Sequence, residues 1–338
     1  FTAFLNISAN VLFLEEVGSG RIPLAFMVSG GAGILLIALY NFCRTRMGVF
    51  GSGMLNLMLL VVITAGILTG AWIFQKQKLV FTLFVLMGPM TLITLLGFWS
   101  TVRGTMRSGY AKQFAGMIEA GLTGGMVLGF FTAPFLTGEG IRTFDLLYAG
   151  MTGLLLAAAA QLYLWQKRDK KQTAYRFTGP GTGAFALFSH RYTGLMAVFV
   201  MLGVGVSVVL HYAFLWASGN GIGEGASLVT FFGFLFGTMM FLAWIMKRYI
   251  FGWLKKRFGI LTTLLISPFM LIILTMAAAV TAERFGYSGG ATTISYFFLL
   301  IMLSRLTNGA LKESMEDPSM AIIYPVSYTH LTLPTKRI

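Results

Sequence analysis

Apolar residues in this 338-residue chain come in blocks of bilayer length, not at the alternating spacing of a strand or the striped spacing of a soluble helix. A hydrocarbon core about 30 Å thick takes about 20 helical residues to cross. On that ruler the blocks fall at Phe1–Leu14, Ile22–Phe42, Ser52–Phe74, Leu79–Trp99, Phe114–Leu136 and Phe144–Trp165. They resume at Thr193–Ala217, Ser227–Met246, Ile260–Ala282 and Ser295–Leu311. The pattern predicts ten membrane helices, the first incomplete because the chain opens inside an apolar block. The longest polar interruption, Gln166–Tyr192, parts six blocks from four. It holds six positive charges, Lys167, Arg168, Lys170, Lys171, Arg176 and Arg191, against the single negative charge of Asp169.

Composition agrees with the pattern. The chain is 57% hydrophobic and 11% charged, where a soluble domain carries about 25% charged residues. The fold class expected is therefore an all-α polytopic membrane protein. A net charge of +14 raises the question of nucleic acid, but the positive residues sit in short connections between apolar blocks. No nucleic-acid partner is expected. Alternate connections carry eighteen Lys and Arg on one side and five on the other, which predicts the first side, with the amino terminus, to be cytoplasmic. The partners expected are the lipid bilayer, anionic headgroups at the basic cytoplasmic loops, and a small-molecule solute. Cys43 is the only cysteine, so no intramolecular disulfide forms. His190, His211 and His330 have no Cys or His spacing for a metal, and no cofactor is expected. The spans contain no convergent nucleophile, base and orienting group, so the chain is not read as an enzyme.

Polar residues inside apolar spans are the candidate working parts, because a charge at the bilayer centre costs at least ~2.5–3.5 kcal/mol. Glu119, the acidic residue well inside the fifth span, reads either as an ion or gate site or as a helix-fixing partner of Arg103, Arg107 or Lys112. Arg305 and Asn308 lie in the cytoplasmic half of the tenth span, where an arginine clamps an anion or snorkels to headgroups. His211 and Tyr212 in the seventh span, and Asn6 and Asn10 in the first, complete the expected solute or ion path. Gly121, Gly125 and Gly129 recur every four residues, as do Gly233 and Gly237, and both runs are expected to be helix-packing seams. Gly88-Pro89, Pro134 and Pro268 are expected to kink their helices. Gly179-Pro180-Gly181-Thr182-Gly183 lacks the strand and helix of a phosphate loop and reads as a linker.

Two lobes joined by a basic loop are the arrangement of the major facilitator superfamily. Gly252-Trp253-Leu254-Lys255-Lys256-Arg257-Phe258-Gly259 resembles that superfamily's cytoplasmic signature G-x-L-x-D-R-x-G at Gly252, Leu254, Arg257 and Gly259, with Lys256 in place of aspartate. Arg46-Met47-Gly48 falls where a degenerate first copy belongs. Arg103–Phe130, Leu228–Ile260 and LKESMEDPSMAIIY at Leu311–Tyr324 are similar to segments of bacterial ATP/ADP translocase-like nucleotide transporters, although His211 stands where relatives often have an acidic residue. The resemblance implies a twelve-helix bundle of which about ten are present. Its lobes would be residues 1–165 and 193–324, with 166–192 as the cytoplasmic linker. Pro325–Thr335 resembles a translated sequencing adaptor, so 325–338 is read as an artefactual tail. The resemblance also implies a bacterial inner-membrane protein that moves a small anionic or nucleotide-like solute by alternating access. The alternative function is a non-transporting anchor or sensor module of a larger protein.

Overall fold

The computed structural model describes residues 1–71, 73, 75–105, 108–138, 140, 142–166, 191–222, 225–285 and 296–320. The glycine-rich part of the central connection and the 325–338 tail lie outside them. Among the described residues all regular structure is helical. The α-helices in order are α1 (Thr2–Glu16), α2 (Ile22–Gly70), α3 (Lys76–Thr105), α4 (Ser108–Gly138), α5 (Leu146–Gln166), α6 (Arg191–Gly221), α7 (Ala226–Ile245), α8 (Phe251–Phe285) and α9 (Tyr296–Leu311). A π-helical turn, Met246–Ile250, joins α7 to α8, and another, Lys312–Glu316, prolongs α9.

Among the described residues, seven segments are long and apolar enough to cross a membrane. Side chains such as Met27, Ile34, Leu35 and Leu156 are 72–76% exposed. A water-soluble surface does not carry so much apolar area, whereas lipid tails solvate it. This is an all-α integral membrane protein. The count differs from the ten blocks for two reasons. The segment Ala226–Arg284 is 59 residues long and, at about 1.5 Å per residue, would reach about 88 Å if straight, so it holds two of the predicted spans. Helix α1, at 15 residues, is shorter than a full crossing, and α9 runs for 16 residues before its helical continuation turns charged at Lys312.

A second difference concerns α2. A turn was expected around Arg44 and Arg46, but the backbone is helical throughout Ile22–Gly70. Two apolar stretches, Ser19–Cys43 and Gly53–Gly70, are therefore separated by a change of composition and not by irregular backbone. The opposite holds at Gly259, where φ is 83° and ψ 171°. Side chains other than hydrogen are strained there, so this glycine breaks the helical run and starts the next span. Gly259→Ala is expected to lower stability by about 1–3 kcal/mol, read as an earlier thermal transition in detergent. Gly252→Ala, with a negative φ and open space around it, is the matched control.

The chain forms two compact units, one of Phe1–Thr178 with Ile222–Gly237, the other of Gly179–Gly221 with Thr238–Ile338. The boundary falls inside α7. In the first unit α1 is the central helix: Leu5, Ile7, Ala9, Val11 and Phe13 are all within 1% of full burial, and the polar Ser8 and Asn10 are fully buried with them. The Phe13 ring lies 4.1 Å from that of Phe84 on α3, and Phe84 lies 5.6 Å from Phe26 on α2. Such ring pairs add about 0.5–1.5 kcal/mol each. That term matters because lipid removes most of the hydrophobic drive between helices. The amino end of α7 is fastened to the same unit. Glu15 accepts the Gly225 N–H at 2.7 Å, a carboxylate at the positive end of a helix. Further along α7, Phe236 and Phe234 meet Phe130 and Phe131 of α4 at 5.6 and 5.9 Å. In the second unit Leu254, Leu311 and Met315 form one core and Leu264 with Met320 another.

Candidate functional site

The apolar spans contain many hydroxyls, and most are satisfied within their own helix. Thr64, Thr91, Thr94, Thr123, Thr263 and Ser304 each donate to the carbonyl four residues back. This lets a small polar residue sit in hydrocarbon without a partner helix. The informative groups are those that reach across helices.

In the first unit the two asparagines of α1 meet each other. Asn10 donates to the Asn6 side-chain oxygen at 2.9 Å and to its carbonyl at 2.7 Å, with the Met87 sulfur of α3 at 3.6 Å. The side-chain oxygen of Asn10 is buried and has no hydrogen-bond partner among the described residues. Glu119 is half-buried on α4, and its main-chain oxygen takes the Thr123 hydroxyl. The side chains of Arg103, Arg107 and Lys112 lie outside the described residues, as do those of Arg44 and Arg46. Deeper polar contact comes from Gln161 of α5, which donates to the Thr101 hydroxyl of α3 at 2.8 Å.

The second unit brings the sequence candidates together. On α9, Arg305 and Asn308 are three residues apart and share a face. On α6, Ser207 and His211 are four apart and share another. Asn308 donates to the Ser207 hydroxyl at 3.2 Å, which sets the register of the two helices. Arg305, one turn back on α9, then interacts electrostatically with His211, one turn on along α6. The Nε of Arg305 is buried and has no hydrogen-bond partner among the described residues. Tyr212 is half-buried beside His211. A guanidinium stays charged in any protein setting, so the cluster is a cationic, donor-rich patch within apolar helices.

One nearby group was not singled out by the sequence. Glu316 places a carboxylate oxygen where a side chain on Gly203 of α6 would begin, 3.6 Å away. Burial raises its affinity for a proton, Lys312 opposes this, Asp317 adds to it, and a hydrogen bond with Ser267 opposes it again. The helix predicted to stop at Leu311 in fact continues to Met320. The signal was present as Leu311 and Met315, apolar and four apart, but the charges of KESMED outweighed it. The Ser314 and Ser319 hydroxyls on this extension are buried without a hydrogen-bond partner among the described residues.

The glycine runs part company. A side chain on Gly233 would meet the Pro134 ring at 2.5 Å and the Phe130 carbonyl oxygen at 2.9 Å, and one on Gly237 would meet the Phe131 ring at 3.0 Å. Gly129 faces Ala3 of α1 at 2.9 Å. Gly121 and Gly125 have no neighbour within 4 Å among the described residues, so the four-residue run on α4 is a seam only at Gly129, toward the carboxyl end of the helix. Of the basic signature, Leu254 is buried in the second unit's core, while Gly252, Arg257 and Gly259 are exposed. Among the described residues no group of three or more His, Cys, Asp or Glu is placed to hold a metal ion. No protein-family model matches the chain, and no curated protein matches it.

Proposed function

We propose that this protein is a secondary active transporter that carries a small anionic solute by alternating access, as a two-lobed, major-facilitator-like bundle. The observation that carries the reading is the Arg305 guanidinium, buried at Nε without a hydrogen bond, beside His211 and the Asn308–Ser207 pair. A fixed positive charge inside apolar helices is costly unless an anion or a wet cavity meets it. Arginine adds a planar fork that fits carboxylate or phosphate oxygens. The sequence resemblance to nucleotide transporters makes a nucleotide the first solute to try. The loop charges support a cytoplasmic amino terminus, and the resemblance to bacterial transporters makes the bacterial inner membrane the location proposed.

The test uses the full-length gene product reconstituted in liposomes. Labelled ATP and ADP counterflow is measured first, followed by a panel of anions, sugars and peptides. Saturable counterflow of an anion supports the reading. Absence of flux with every solute, from protein that remains folded, overturns it in favour of a membrane anchor or sensor.

A further inference from the structure

We infer that Met246–Gly259 is a binding site for an anionic phospholipid headgroup at the membrane–water boundary. The segment joins two apolar spans, so it emerges where hydrocarbon gives way to headgroups. One side is held by the protein: Leu254 is buried against Leu311 and Met315, with Met246 and Phe251 partly buried around it. The other side is open. Tyr249 is 68% exposed, Trp253 53% and Phe258 52%. Tyr and Trp favour this depth in a bilayer because one part of the ring is apolar and the other wet.

The charged groups are arranged on those rings. The Arg257 guanidinium lies 5.5 Å from the Trp253 ring centre and 5.7 Å from that of Phe258. The two rings meet edge to face at 6.0 Å. Lys255 stands over Phe251 at 6.0 Å. Rings that position a guanidinium leave its N–H fork directed at an acceptor such as a phosphodiester. Arg248, Lys255, Lys256 and Arg257 are all exposed, and none has an ion pair among the described residues. The segment itself contains no acidic residue. The π-helical extension of α9 packs on it and brings Glu313, Glu316 and Asp317, with Lys312 among them. Charge and ring exposure together select a lipid headgroup, because a soluble anion has no use for the exposed aromatic rings. The inference does not depend on transport activity.

Native mass spectrometry of the full-length protein in mild detergent tests it, with phosphatidylglycerol and chain-matched phosphatidylcholine as probes. Phosphatidylglycerol is expected to be retained in preference. Trp253→Ala with Arg257→Ala is expected to weaken that retention about five- to thirtyfold. Arg257→Lys, which keeps charge and loses the fork, is expected to fall between. Lys255→Gln with Lys256→Gln, at exposed positions that support no core, is expected to weaken it about tenfold and carries the test if the first pair does not fold. Equal retention of the two lipids, unchanged retention in the variants, or displacement by millimolar inorganic phosphate would each overturn the assignment.

Discussion

Arg305→Ala is expected to cut saturable solute flux about tenfold to hundredfold, while the protein remains folded. The magnitude follows from the loss of charge-assisted hydrogen bonds, worth about 1.5–3 kcal/mol each. The diagnostic part is the pairing of lost flux with retained stability. A buried arginine that merely completes a structural ion pair leaves a stranded partner when removed, at a cost of about 3–5 kcal/mol. Arg305 has no ion pair among the described residues, so its removal is expected to leave the thermal transition in place or raise it. Arg305→Lys keeps the charge but not the fork and is expected to raise the half-saturating concentration more than it lowers the maximal rate. Flux measured over a range of solute concentrations, with a melting curve for each variant, checks all three. A variant that loses flux and fold together would instead make Arg305 a structural residue.

The largest expected effect on stability is at Gly233. A side chain there runs into the Pro134 ring and the Phe130 carbonyl oxygen. The second of these is backbone of an apolar helix and cannot swing aside as a flexible side chain does. Overpacking of this kind costs about 1–3 kcal/mol even for small additions. Gly233→Leu is therefore expected to abolish the monodisperse species seen by size-exclusion chromatography. Gly233→Ala should survive with a lower melting temperature. Gly121→Ala is the control, because that position faces open space; relief of glycine's entropy cost predicts a gain of about 0.5–1 kcal/mol. Equal tolerance at Gly233 and Gly121 would mean that the α4–α7 contact is not close-packed.

These two sites also mark what the chain made legible. The spans could be read because membrane insertion is a local property, summed over about 20 consecutive residues. Block edges at Met246 and Ile260 lie within a residue or so of the ends observed at Ile245 and Gly259. The break at Gly259 was announced by its polar, basic flank. Arg305, Asn308 and His211 could be picked out singly, since polar groups in apolar helices are conspicuous.

Composition could not tell helix from turn where charges interrupt an apolar run. Arg44–Arg46 and Lys312–Glu316 were both read as connections, and both are helical. Nor could spacing separate two glycine runs of the same period. Gly233 meets the backbone of Phe130, far away in sequence, and Gly121 touches nothing described, a distinction that exists only once α4 and α7 are side by side. The proximity of Arg305 to His211, and the hydrogen bond of Asn308 to Ser207, likewise needed the register between α6 and α9. Hydropathy along the chain determines which stretches become membrane helices, because each stretch settles that balance with the lipid alone. Which of their faces meet is decided by close packing between residues distant in sequence, and only the tertiary structure contains it.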